Sequence, residues 1–130
     1  MKLKEIAGHG VGNVISVDEN DSIRDAARLM AEEEVGVVIV NGRGRATGVF
    51  SERDMARAVA DEADLDSILV RDYMTDSPVT ADEDAYIGDA VAKMNEFGLR
   101  HVIVTKDEEV VGMVSIRAIL RLYGTRWPEL

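Results

Sequence analysis

Apolar and polar positions change period in the same order twice along this chain. A short apolar segment, Val14 to Val17, gives way to a turn rich in Asp and Glu, and apolar residues then recur at helical spacing through Ile23, Ala26, Ala27 and Met30. Ser22 has the hydroxyl of an N-cap, with Asp25 placed to complete a capping box. The apolar run Val37 to Val40 is too short for a helix and rich in β-branched residues, which predicts a buried strand. Gly42-Arg43-Gly44 reads as a hairpin turn, a third strand ends at Phe50, and a second helix follows. The second copy runs from Val79 to Ala81, through His101 to Val104 and the turn Lys106-Asp107-Glu108, to a strand ending at Val114. Each copy therefore predicts a β-α-β-β-α unit, with a parallel crossover and an antiparallel hairpin in one small sheet, an α+β fold.

The two copies keep one register. "GVFSERD" (Gly48 to Asp54) and "GMVSIRA" (Gly112 to Ala118) stand 64 positions apart, and at the same offset Asp18-Glu19 matches Asp82-Glu83 and Ile23 matches Ile87. Asp25-Ala26, Met30 and Val38-Ile39-Val40 likewise match Asp89-Ala90, Met94 and Val102-Ile103-Val104. The expected division is residues 1–64, with an N-terminal lead-in, and residues 65–130, with a C-terminal helix and tail. One such unit buries too little apolar surface to stand alone, so the pseudo-symmetric copies are expected to pack into one module.

Composition narrows the function classes. Lys and Arg number 15 against 25 Asp and Glu, a net charge of -10 that disfavours nucleic acid and acidic membranes and requires any phosphate site to be locally basic. The chain has no cysteine, which removes disulfides, thiolate metal sites and thiol catalysis. "MKLKEIAGHG" lacks the apolar run of a secretory leader, and the longest apolar stretch, Val35 to Val40, is strand-length. A soluble cytoplasmic domain is the expectation.

"GVFSERD" carries the most chemistry. Gly48 lets backbone or ligand approach closely, Ser51 offers a hydroxyl, and the helix that follows presents free N–H groups to an anion. Arg53 adds a charge-assisted phosphate contact, while Asp54, acceptor-only when ionised, suits the paired donors of a ribose diol. Ser-x-x-Asp before an apolar helix is also a capping box, which accounts for Ser51 and Asp54 without any ligand. The second copy has Ala118 where the first has Asp54, either a lost ribose acceptor or ordinary helix filling.

The duplicated β-α-β-β-α pattern, the lead-in "VRDYMTDSPVTADED" and the Gly-x-x-Ser-x-x-Asp phrase together resemble a tandem pair of cystathionine-β-synthase (CBS) domains, over nearly the whole chain. The resemblance implies a regulatory module that binds an adenosine-containing ligand (AMP, ADP, ATP or S-adenosylmethionine) in a cleft between the repeats, with no required cofactor. It implies Asp54 on ribose, Ser51 and Arg53 near phosphate, and Thr75, Val79, Leu99, Arg100 and His101 completing that cleft beside Gly48. A weaker second cleft would use Ser115 and Arg117 opposite Ile15, Val35 and Gly36. It further implies a homodimer and an unidentified target protein, while the net charge argues against nucleic acid or membrane as partner. The alternative is a ligand-independent scaffold for dimerisation and partner docking.

Other motifs fall away. In "GHGVGN" Asn13 stands where a dinucleotide fingerprint needs its third glycine, so the segment reads as a loop with His9 exposed. His9 and His101 lack metal-ligand spacing, and Ser51 lacks a nucleophile-elbow context, so no metal site and no enzyme activity is expected. Glu32 to Glu34 and Asp61 to Asp66 read as a solvated helix end and linker, and Trp127 as a docking residue on this subunit or a neighbour.

Overall fold

A computed structural model of the chain describes residues 1–6, 15–76 and 79–124. His9, the "GHGVGN" segment and Trp127 lie outside the described residues. The chain divides into two compact units, Ile15–Pro78 and Met1–Val14 with Val79–Leu130.

The Ile15–Pro78 unit runs β1 (Ser16–Asp18), α1 (Ile23–Glu33), β2 (Val37–Gly42), β3 (Arg45–Ser51), α2 (Glu52–Ala60), a 3-10 turn at Val70–Asp72 and β4 (Thr75–Asp76). Its sheet has the order β1-β2-β3-β4, with β1 parallel to β2 and the other pairings antiparallel. The second unit runs from a 3-10 turn at Leu3–Ile6 to β5 (Thr80–Asp82), α3 (Ile87–Phe97), β6 (His101–Lys106), β7 (Glu109–Ser115) and α4 (Ile116–Gly124). Its described strands have the order β5-β6-β7, again parallel then antiparallel. The register repeats at the 64-residue offset: Ser16 opposes Ile39 as Thr80 opposes Ile103, and an irregularity follows Val40 as another follows Val104. Both β-α-β-β-α units are thus built as the pattern predicts.

Local chemistry explains the boundaries. Ser22 caps α1 by accepting from the Asp25 N–H at 3.1 Å, but Asp25 turns its carboxylate to Arg28, so the box is half made. In α3 the other half appears: the Asp89 carboxylate accepts from the Tyr86 N–H at 3.0 Å. The hairpin turns are Arg43-Gly44 and Asp107-Glu108, all at positive φ, while Gly42 and Lys106 close their strands. One core gathers Val17, Ile23, Met30, Val38, Val40 and Phe50 on one sheet face; the other gathers Ala81, Ile87, Met94, Val102, Val104 and Val114.

The packing boundary differs from the sequence boundary at residues 64 and 65. Val70, with no exposure, belongs to the first repeat's core, and Leu3 and Ile6 belong to the second repeat's core. The backbone shows why. Leu3 N–H donates to the Ala85 carbonyl at 2.8 Å and Lys4 N–H to that of Glu83 at 2.9 Å. Val70 N–H donates to the Asp21 carbonyl at 2.8 Å and Arg71 N–H to that of Glu19 at 3.1 Å. The segments around Leu3 and Val70 are therefore equivalent pieces, each lying on the repeat that does not follow it in the chain. The acidic linker is also more than solvated: Asp66 pairs with Arg24, and Ala63 and Leu65 pack against the first core.

Candidate functional site

The turn between β3 and α2 places Ser51 in extended conformation as the N-cap of α2. Its hydroxyl accepts from the Asp54 N–H at 3.3 Å and donates to Asp54 Oδ2 at 3.0 Å, and its own N–H donates to the same oxygen at 2.9 Å. The capping box is complete. Asp54 is 5% exposed, the one buried polar or charged residue among the described residues. Its other oxygen, Oδ1, accepts from Arg57 Nη2 at 3.0 Å.

Arg57 and Glu52 were not singled out by the sequence, although both stand inside or beside the quoted phrase. Arg57 lies one helical turn beyond Asp54, the spacing of an i,i+3 pair. Its Nη2 also donates to the Tyr73 carbonyl at 2.7 Å, and its guanidinium carbon sits 6.0 Å from the centre of the Tyr73 ring. The Tyr73 hydroxyl donates to Asp61 Oδ2 at 2.9 Å, a bond that holds the phenol above its ordinary titration range. Glu52 sets its carboxylate against Gly36, where a Cβ would come within 3.3 Å of it, and the Glu52 N–H donates to the Gly36 carbonyl at 3.0 Å. The N-terminus of α2 thus carries two carboxylates of its own, which suits hydroxyl donors better than a phosphate.

Gly48 has a structural cause. A Cβ there would lie 2.3 Å from the Thr75 carbonyl oxygen, because β4 pairs with β3 at Gly48 and Val49. The close approach is made by backbone. Thr75 therefore sits in the same unit as Ser51 and Asp54, along with Ile15, Val35 and Gly36, while Arg53 is exposed on α2.

The second unit gathers the remaining candidates at the equivalent turn. Ser115 accepts from the Ala118 N–H at 3.0 Å, and no carboxylate returns the bond, since residue 118 is alanine. Arg100 offers its carbonyl to the Ile116 N–H at 2.9 Å, as Gly36 does to Glu52. His101 opposes Ser115 across β6 and β7 and is half-buried; burial first, then Arg100 and Arg117, hold its imidazole below the ordinary value. Leu99 bonds back to Met94 at the end of α3, and Val79 offers its carbonyl to the Ile103 N–H at 3.1 Å. The two turns share an arginine, Arg53 and Arg117, and differ in what surrounds it: Glu52 and Asp54 on one, Arg100 and the half-buried His101 with no carboxylate on the other. Among the described residues, no group of three or more His, Asp or Glu is placed to hold a metal, and no helix is long and apolar enough to cross a membrane.

Comparison with known proteins agrees with this architecture. The family model of the CBS domain matches residues 4–61 and 70–124. An uncharacterised 17.7 kDa protein of Acidianus ambivalens is 36% identical over 122 residues, covering 92% of this chain and 71% of that protein. The chain spans 58% and 41% of two further curated relatives. Among solved structures, a CBS domain protein of Pyrobaculum aerophilum complexed with AMP is similar, with a TM-score of 0.81 and 32% identity over 96% of this chain and 99% of that one. The CBS domain pair of protein MJ0100, in complex with 5′-methylthioadenosine and S-adenosyl-L-methionine, gives a TM-score of 0.84 and 26% identity over 97% and 98%. Because the two matched stretches fall on the two β-α-β-β-α repeats, this chain belongs to the CBS domain family and carries two copies of the domain.

Proposed function

We propose that the chain is a regulatory module that binds an adenosine-containing ligand, with the Asp54 carboxylate accepting from the ribose diol. The observation that carries this reading is the burial of Asp54: even with Arg57 beside it, a carboxylate buried at a strand-to-helix turn costs more desolvation than capping requires, since Ser51 alone closes the turn as Ser115 does in the other unit. The carboxylate has about four lone-pair positions and three are used, which leaves room for a further donor. Arg53, exposed beside Asp54 on α2, supplies a charge-assisted contact for a phosphate end, which AMP, ADP and ATP carry and S-adenosylmethionine does not. The similar structures solved with AMP and with S-adenosyl-L-methionine support the adenosine part of this assignment. Occupancy regulates a target only through unequal affinity for two conformations of the chain.

One observation favours the scaffold reading instead: the Ser51–Asp54 box is satisfied without a ligand. Thermal unfolding separates the two. A ligand at 100 times its dissociation constant adds about 2.7 kcal/mol, or about 10 °C for a chain near this size. The expected result is such a shift with one of AMP, ADP, ATP, S-adenosylmethionine or a dinucleotide, lost in Asp54→Ala. No shift with any of them assigns the turn to capping alone.

A further inference from the structure

Arg57 stands between Asp54 and the segment that leads out of the first repeat. A buried carboxylate needs a partner, and Arg57 supplies it at Oδ1 while remaining 57% exposed against 6% for Asp54. The guanidinium is itself fixed, by the Tyr73 carbonyl at 2.7 Å and by the face of the Tyr73 ring. Tyr73 is fastened a second time through its hydroxyl to Asp61, the residue that ends α2. Two residues later the chain enters β4, which pairs with β3 at Gly48 and Val49, on the strand that ends in Ser51. The contacts close a ring: Ser51, Asp54, Arg57, Tyr73, β4, β3 and back to Ser51.

The other unit supplies an internal control. Arg121 holds the position of Arg57, 64 residues on, but Ala118 gives it no carboxylate, and among the described residues Arg121 makes no ion pair. An arginine at this helix position is therefore not enough to form the ring; the carboxylate and Tyr73 complete it.

We propose that Arg57 is a positioning residue for the Asp54 site, holding the Oδ1 edge of the carboxylate and transmitting occupancy there to residues 73–76. The inference rests on the reading of Asp54 as a ligand contact. A hydroxyl that donates to Asp54 shares the oxygen Arg57 uses, and the same Nη2 holds Tyr73, so a change in one bond is felt by the other. Lysine at this place keeps the charge and loses the planar group that stacks on Tyr73.

The test combines calorimetric titration with amide hydrogen exchange, using AMP, ADP, ATP, S-adenosylmethionine and a dinucleotide as probes on wild type, Arg57→Ala and Arg57→Lys. In wild type a bound probe slows exchange at residues 73–76 several-fold. Arg57→Ala binds about tenfold more weakly, the effect of losing one charge-assisted bond, and its 73–76 amides no longer respond. Arg57→Lys regains most of the affinity and little of the response, which a purely structural role for the side chain does not produce. Wild-type affinity in Arg57→Ala overturns the proposal, as does a wild-type exchange response in either variant. A wild type that binds none of the five probes overturns the reading of Asp54 as well, and is recognised by its own silence.

Discussion

At one turn of the fold the first repeat places Ser51, Glu52 and Asp54, and the second places Ser115, Ile116 and Ala118. Both serines cap their helices, at 3.3 Å and 3.0 Å, so the shared job of the turn needs only the hydroxyl. What differs is charge. Both turns keep an arginine, Arg53 and Arg117; the first adds Glu52 and Asp54 and is tied through Arg57 to Tyr73, and the second adds Arg100 and a half-buried His101. The elements that close each core are the same in both repeats, and the residues at the N-terminal ends of α2 and α4 differ. A second contrast lies at the helix starts. The second unit leaves a groove of about 500 Å³ between Met1, Tyr86, Val91, Ile119 and Tyr123, whereas Ala63, Leu65 and Ile68 pack against the first core from the linker.

The largest expected effect breaks the equivalence of the segments around Leu3 and Val70. Leu3→Ala empties a fully buried site and should cost about 3 kcal/mol, lowering the denaturation midpoint, with exchange protection lost in β5–β7 ahead of β1–β3. If instead β1–β3 lose protection first, the N-terminal segment supports the repeat it precedes. Ala118→Asp is the complementary change. It offers Ser115 the missing half of a capping box and Arg121 a partner, but it buries a carboxylate at a position only 8% exposed and should lower stability by about 1 kcal/mol in denaturant titration.

Next in size is a pH effect confined to the second unit. The folded value of His101 lies below its ordinary 6.5, so the unfolded chain binds more protons and stability rises with pH through this window. The contribution is complete above about pH 6.5 and fades as pH falls toward the folded value. His101→Gln, measured at pH 5 to 8, should flatten that part of the profile; an unchanged slope would assign it to other groups. The smallest effect concerns the hairpins. Glu108 holds φ +68° where the first repeat has Gly44 at +78°, and Glu108→Gly should gain about 0.5 kcal/mol by equilibrium unfolding.

Much of this was legible in the residues. The change from period 2 to period 3.6 is a local property, and so the strands, helices and hairpins of both repeats follow from it, as does Ser22 as a cap. Ser51 and Asp54 were marked by their spacing before an apolar helix. Gly48 was marked too, but its cause was ambiguous until β4 was seen to run beside it with Thr75 against the glycine. Arg57 escaped notice because an arginine on an exposed helix face looks like any solvated charge. Its partner Tyr73 is 16 residues away across an aperiodic linker.

The sequence by itself determined the duplication, the element order within each repeat and the asymmetry between Asp54 and Ala118, because these depend on spacing and residue chemistry along the chain. Only the tertiary structure decided that the lead-in segments lie on the repeats they do not precede. Their similarity is a few residues, Leu3-Lys4-Glu5 beside Val70-Arg71-Asp72, at an offset of 67 rather than 64. What recruits them is a set of backbone donors and carbonyls at the edge of each turn, together with an apolar hole that Leu3 or Val70 fills. Such hydrogen bonds carry no side-chain signature, and the hole exists only once a sheet and its helices have packed.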